Sequence, residues 1–222
     1  MKLASCFLLL AAFVTSANAG TVVLTFEGLQ DEETVSNYYN GGLGGNGSGP
    51  GPNYGITFES NALAIISNQN GGSGNFAGNP SGDTIVFFLS GVGDVMNVAG
   101  GFTSGFSFFY SAINDPGTVT VYSGADATGT VLATLNLPIT ASNAGNSVCG
   151  SDQFCPFVPF GVSFSGTAMS VDFSGTANQI GFDDITLGSS VPDSGSSPEP
   201  ATYALMGGGL LAAGLFRSRR RR

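Results

Sequence analysis

Histidine and tryptophan are absent from this 222-residue chain, and it holds only 6 lysines and arginines against 15 carboxylates. The lack of histidine excludes Ser-His-Asp and Cys-His catalytic sets, imidazole metal sites and the HExxH zinc motif. Charged residues make up only 9% of the chain, yet 18 Phe and 6 Tyr hold the hydrophobic share at 42%. Such a chain can bury a core and does not have the composition of a disordered one. Its length suits one domain with short appendages.

The few cations are confined to the two ends. Lys2 lies at the start, and Arg217, Arg219, Arg220, Arg221 and Arg222 lie at the finish, while every carboxylate falls between them. The start combines Lys2, an apolar run centred on residues 7–14, and Ala17-Asn18-Ala19 before Gly20. This pattern predicts a secretory signal peptide over residues 1–19, because the apolar run is too short for a membrane anchor and ends at a small-x-small cleavage site. Cys6 would leave with that peptide. Two cysteines remain, Cys149 and Cys155, in the polar segment CGSDQFC. In an oxidising compartment an isolated pair at this spacing is expected to form a disulfide. A zinc site would need two further ligands that the mature chain does not have.

The other end joins a polar linker, residues 191–197, to Pro198-Glu199-Pro200, an uncharged stretch over 201–216, and the arginine cluster. A helix over residues 202–216 would span about 22 Å, a marginal membrane anchor against a hydrocarbon core of about 30 Å. The arginines would stay cytoplasmic, which places the acidic domain on the outer side. In this order and at this spacing, Pro198, Glu199, Pro200, the short apolar helix and Arg217 and Arg219 to Arg222 resemble the PEP-CTERM sorting signal of exported proteins in Gram-negative bacteria. The resemblance covers about the last 25 residues. It implies recognition and removal of the tail near Pro198–Pro200 by an exosortase, a membrane protease-transpeptidase, in organisms that make extracellular polysaccharide. An ordinary C-terminal membrane anchor is the alternative.

Residues 20–190 form the passenger. Short alternating or β-branched stretches recur at 21–26, 55–58, 62–67, 84–89, 106–111, 118–123, 130–137, 160–165, 169–174 and 179–187, separated by clusters of Gly, Asn, Ser and Asp. No window has a sustained helical period. The expected fold is all-β, a two-sheet β-sandwich of jelly-roll type, with helices only in the signal peptide and the tail. Phe106, Phe108 and Tyr110 are expected on one inward face, as are Val171 and Phe173. The apolar face of the last stretch switches around Asp183, which predicts a bulge there or a strand leaving the sheet. The echo of VSFSGTA (162–168) in VDFSGTA (171–177) reads as a local hairpin repeat.

Residues 40–53, NGGLGGNGSGPGPN, are expected to form a long loop, flexible or ligand-binding, and they lack the lysine and glycine spacing of a nucleotide site. Tyr38, Tyr39 and Tyr54 flank it and are the candidate sugar-stacking rings. Carboxylates in a domain without cations must be solvated, hydrogen-bonded, protonated or bound to a metal. Glu27 near the start and Asp183 and Asp184 near the end resemble the acids that hold a structural calcium in carbohydrate-binding jelly rolls, which implies Ca²⁺ as a candidate structural cofactor. The alternative is solvated carboxylates that keep the protein soluble. A glycoside hydrolase using paired carboxylates is the rival class, but no motif isolates an acid and a base, so the expectation is a protein that is not an enzyme. The negative domain disfavours nucleic acid. The reading is an exported cell-surface or extracellular-matrix protein, held briefly in the inner membrane, that binds extracellular polysaccharide or serves a structural role.

Overall fold

The computed structural model describes residues 21–140, 142 and 147–194. The expected signal peptide, the sorting residues Pro198, Glu199, Pro200, Arg217 and Arg219 to Arg222, and both terminal helices lie outside the described residues. Within them are twelve strands: β1 (Val22–Leu24), β2 (Glu33–Thr34), β3 (Ile56–Phe58), β4 (Ala62–Ile66), β5 (Thr84–Phe88), β6 (Gly93–Phe102), β7 (Gly105–Ser111), β8 (Gly117–Tyr122), β9 (Val131–Leu137), β10 (Val158–Ser163), β11 (Ala168–Gly175) and β12 (Gly181–Leu187). All strand pairs are antiparallel.

The pairings identify a jelly roll. Strand β8 pairs with β9, β7 with β10, β6 with β11 and β5 with β12. A long antiparallel ribbon with its bend between β8 and β9 thus rolls into two sheets. One sheet runs β10-β7-β12-β5-β4-β2, with β1 beside β12, and the other runs β3-β6-β11-β8-β9. Strands β10 and β11 therefore lie in opposite sheets, so the repeated SFSGTA and DFSGTA segments are an arch between layers and not the hairpin their similarity suggests.

The core is aromatic. Phe106, Phe108 and Tyr110 of β7 are buried with Val171 and Phe173 of β11 and Phe182 of β12. Phe108 makes edge or tilted contacts with Phe106, Tyr110, Phe173 and Phe182 at centroid distances of 5.3–6.4 Å, the geometry in which ring quadrupoles attract. The outer face of β7 is also covered. Ser107 donates to the Ser189 carbonyl at 2.9 Å, and Gly188 N–H bonds to the Gly105 carbonyl at 3.0 Å. A Cβ at Gly105 or Gly161 would run into the backbone of Ser189 and Ser190. The chain after β12 thus lies flat on the sheet where those two glycines leave room.

Two strands differ from the sequence-based expectation. Strand β2 is only two residues long, and β6 carries three glycines and turns an aspartate inward. Asp94 is 4% exposed, and neither carboxylate oxygen makes a hydrogen bond. Burial raises its pKa to about 7; Glu59 and Asp172 push the same way, against the opposing amides of Ala62 and Asn61.

An acid that is harder to ionise when folded binds its proton more tightly in the native state. Its stabilising contribution is fully present below the unfolded value near 3.8 and is lost as pH rises through about 7. Asp94→Asn should therefore gain in melting temperature over the parent as pH rises from 5 to 8, and a pH-independent difference would contradict this origin. At the centre of the sandwich, Phe108→Ala should cost about 3–5 kcal/mol in chemical denaturation, and a loss under about 1 kcal/mol would mean that the ring cluster is not the core.

Candidate functional site

Strand β12 is buried along its full length between β7 on one side and β5 and β1 on the other. Its register slips between Asp183 and Thr186, and Asp184 has φ +47°. The bulge anticipated from the change of apolar face is therefore present, and it puts two consecutive carboxylates into the interior. They are treated differently. Asp183 accepts from Ser81 N–H and Oγ at 3.2 Å, from Asn79 Nδ2 at 3.3 Å and from Asp184 N–H at 2.8 Å. Burial, then the charge of Asp184, raise its pKa to about 8 despite those donors. Asp184 is fully buried, and neither of its oxygens has a hydrogen-bond partner. Its pKa rises to about 6 through burial, opposed by the nearby Ser81 hydroxyl and reinforced by the charges of Asp193 and Glu27.

Glu27 follows β1 and sits in the turn where Phe26 adopts φ +62°. Its Oε1 accepts from the backbone N–H of Asp83 at 3.0 Å and of Thr84 at 2.8 Å. Glu27, Asp183 and Asp184 thus share a neighbourhood, but each is oriented on its own. Among the described residues, no group of three carboxylate or thiol side chains forms a ready metal cage. Of the trio, Asp183 has its acceptors committed to the 79–81 turn. Asp184 alone has both oxygens unused, and buried orphan oxygens suit a hard cation that takes oxygen ligands.

The glycine-rich loop is well packed, and an acid that local sequence pattern does not single out organises it. Glu33 of β2 is fully buried, its Oε1 accepting from Asn46 N–H at 2.8 Å and Ser48 N–H at 3.1 Å, and its Oε2 from Gln30 N–H at 2.7 Å. These amides outweigh burial and hold its pKa below the usual value. Glycines are needed because the loop backbone lies directly on side chains: a Cβ at Gly44 would strike Glu33, and one at Gly51 would strike Tyr38.

The three candidate tyrosines come together at the base of this loop. Tyr38 donates its hydroxyl to the Glu27 carbonyl at 3.0 Å, and the Tyr39 oxygen accepts from Phe26 N–H at 2.6 Å. Tyr39, 3% exposed, stacks on Tyr54 at 6.2 Å with 13° between the planes. Tyr54 is 45% exposed, so the two inner rings brace the loop and the outer one is available for contact. These rings, with Thr21, Glu27 and Asp193, line a cavity of about 320 Å³. A second, shallower concavity of about 730 Å³ lies at the opposite edge of the sandwich and includes Thr118, Asn136, Pro138 and Phe160.

The remaining candidates, Cys149 and Cys155, have sulfurs at bonding distance with Cα atoms 5.6 Å apart, the spacing of a disulfide. Their loop is tied down by Asp152, which accepts from Asn68 Nδ2 at 2.8 Å and Gln69 Nε2 at 2.5 Å. Phe154 of that loop packs against Phe76, Phe157 and Ile85, a small apolar cluster separate from the main core.

No curated protein matches this chain. Among solved structures, it is similar to the K2 cleaved adhesin domain of Lys-gingipain, at 14% identity and TM-score 0.47, over 77% of this chain and all of that one. The K1 domain of the same protein from Porphyromonas gingivalis W83 is similar at 16% identity and TM-score 0.35, over 60% of this chain and 96% of that one. A carbohydrate-binding module of lichenase 5A from Cellvibrio mixtus, in complex with cellotriose, is similar at 16% identity and TM-score 0.35, over 59% and 88% of the two chains. Residues 198–222 match the PEP-CTERM protein-sorting motif, so the chain carries the sorting signal of an exported, transiently membrane-anchored protein.

Proposed function

We propose that the jelly roll is a non-catalytic module that binds neutral polysaccharide at the surface of a Gram-negative cell or in its matrix, and that the tyrosine cavity is the binding site. The observation that carries this reading is the placement of Tyr54. One face of its ring is braced by Tyr39 and the residue is 45% exposed at the rim of the cavity. A pre-positioned aromatic ring stacks on the apolar face of a sugar with little entropic cost, and carboxylates and hydroxyls nearby take up its hydroxyl groups. Glu27 and Asp193 also line the cavity, which favours neutral chains over anionic ones. Binding is preferred to hydrolysis because Glu27 has one oxygen committed to two backbone amides and Asp183 is locked in the interior.

The same reading includes a structural calcium ion. Asp184 and Glu27 would hold it, since Asp183 is occupied by the 79–81 turn. The ion would supply the positive charge that the described residues lack and neutralise the buried Asp184. We also infer that the Cys149–Cys155 pair is oxidised in the exported protein, in keeping with an oxidising compartment.

Two measurements test this function. Affinity electrophoresis of the secreted protein through neutral polysaccharides should show retardation, and Tyr54→Ala should weaken binding by roughly tenfold, about 1.4 kcal/mol. Millimolar calcium should raise the melting temperature of the parent and leave Asp184→Asn unmoved. Mobility unaffected by every polysaccharide would remove the binding role, and an unchanged parent melting temperature would remove the ion. Separately, the intact mass of the secreted form should correspond to a chain starting at Gly20, ending near Pro198–Pro200 and lacking two thiol hydrogens. A mass retaining either end would contradict the processing route.

A further inference from the structure

The two sheets end in β10 and β2 and in β3 and β9. An end strand presents backbone groups that a second chain can pair with, so folded domains cover or interrupt such edges. Three of the four are closed in this way. The outer edge of β3 is taken by the loop before it, with Phe58 N–H on the Ser36 carbonyl at 3.0 Å and Ile56 N–H on the Tyr39 carbonyl at 3.4 Å. Strand β2 has two residues, and its Thr34 carbonyl accepts from Gly45 N–H at 2.9 Å. Strand β10 contains Pro159, which has no N–H to offer.

Strand β9 is different. Its seven residues, VLATLNL, include no proline, glycine or charge. Among the described residues no strand pairs with its outer edge, and no backbone hydrogen bond from a loop reaches it. From Ala133 to Leu137 its register against β8 is unbroken. Leu135 and Leu137 are buried on the inner face, whereas Thr134 and Asn136 are exposed. The surroundings are neutral as well. Of the 15 carboxylates in the chain, none falls between Asp126 and Asp152. Val131 and Ile139, both exposed, flank the strand. Two copies of a domain with acidic side chains and no basic ones repel each other over most of their surface, and here that repulsion is weakest.

We propose that two copies of this chain pair through β9, antiparallel about a two-fold axis at Leu135, so that their five-stranded sheets join into one continuous sheet. In this register Leu135 meets its own counterpart and Ala133 meets Leu137 on the inner face, while Thr134 meets Asn136 on the outer face. Apolar side chains thus meet apolar ones and polar meet polar, as a shared inner and outer face requires. A second copy fits the edge because the strand is self-complementary. A basic partner would find no carboxylate on it. The contact is isologous and closes on itself, so assembly stops at the dimer.

The order of the sheet gives the pairing a consequence. Tyr54 lies just ahead of β3, and β3 and β9 are the opposite edges of one sheet. The dimer therefore holds its two tyrosine cavities at the far edges, away from the seam. This consequence alone rests on the binding function proposed above: the dimer is bivalent and grips a polysaccharide at two points, with a gain in avidity.

The test needs no glycan. Sedimentation equilibrium of the secreted protein should show a monomer and dimer in exchange. Association should tighten several-fold between about 20 mM and about 500 mM salt, because salt screens two like-charged bodies and there is no ion pair at the seam to weaken. A variant with Thr134→Lys and Asn136→Lys places like charges opposite each other across the axis and should be monomeric, as should a variant with Thr134→Glu and Asn136→Glu. Mixing the two should restore a dimer, which also shows that both are folded. A parent that is monomeric at about 0.5 mM would overturn the proposal. So would dimers that salt weakens, variants that still dimerise alone, or a mixture that stays monomeric. A dimer that behaves as expected yet retards on no polysaccharide would leave the pairing intact and remove the binding function.

Discussion

The carboxylates of this domain have no basic side chain to pair with, because residues 21–194 contain no Lys, Arg or His. Every buried acid must be met by neutral donors, take a proton or hold an ion. The chain uses backbone amides wherever it can. Buried Glu33 is held by the amides of Gln30, Asn46 and Ser48, and backbone amides also serve the exposed Glu27, bound by those of Asp83 and Thr84, and the half-buried Asp31, bound by that of Ile66 at 2.8 Å. Most of these bonds tie a loop to a segment that is distant in sequence. In a sandwich whose long connections are poor in side chains, the acids take the role that apolar side chains have elsewhere, and they fix the 40–53 loop and the 79–84 turn in place.

Elsewhere burial and neighbouring like charge dominate. Asp94 and Asp184 have orphan oxygens and raised pKa values, and Asp183 is raised despite four donors. Asp183 and Asp184 lie in the β12 bulge, next to Glu27 and to the departing chain. The cavity, the proposed ion and the exit of the sorting tail therefore meet at one point of the jelly roll, the place where β1 joins β12. That pairing brings the two ends of the described domain together beside the cavity.

Much of this was legible in the sequence. The alternation Phe106, Phe108, Tyr110 and the pair Val171 and Phe173 marked the core, and the change of face at Asp183 marked the bulge. Strand β6 was missed because Gly93, Gly100 and Gly101 lower strand propensity and because Asp94 occupies an inward position where the pattern calls for an apolar residue. Strand β2 was missed because two residues carry no periodicity. The role of Glu33 depends on amides 13 and 15 residues away in the chain, and such partners follow from the folded path of a loop and not from local pattern. The three tyrosines were singled out as candidates by their position beside the loop, but only packing separates Tyr54, which is open to contact, from Tyr38 and Tyr39, which brace it. The two similar SGT segments misled for a related reason: sequence echo does not say which sheet a strand joins.

The claim underlying this account is that buried carboxylates in a domain without basic side chains are sorted by the balance of hydrogen-bond donors against burial and neighbouring like charge. Site-resolved NMR titration of the side-chain carboxyl groups in the secreted, calcium-free protein tests it most directly. The account predicts that Glu33 titrates below the usual glutamate range while Asp94 and Asp183 titrate well above the aspartate range, near 7 and 8. Ordinary titration of all three close to about pH 4 would contradict it.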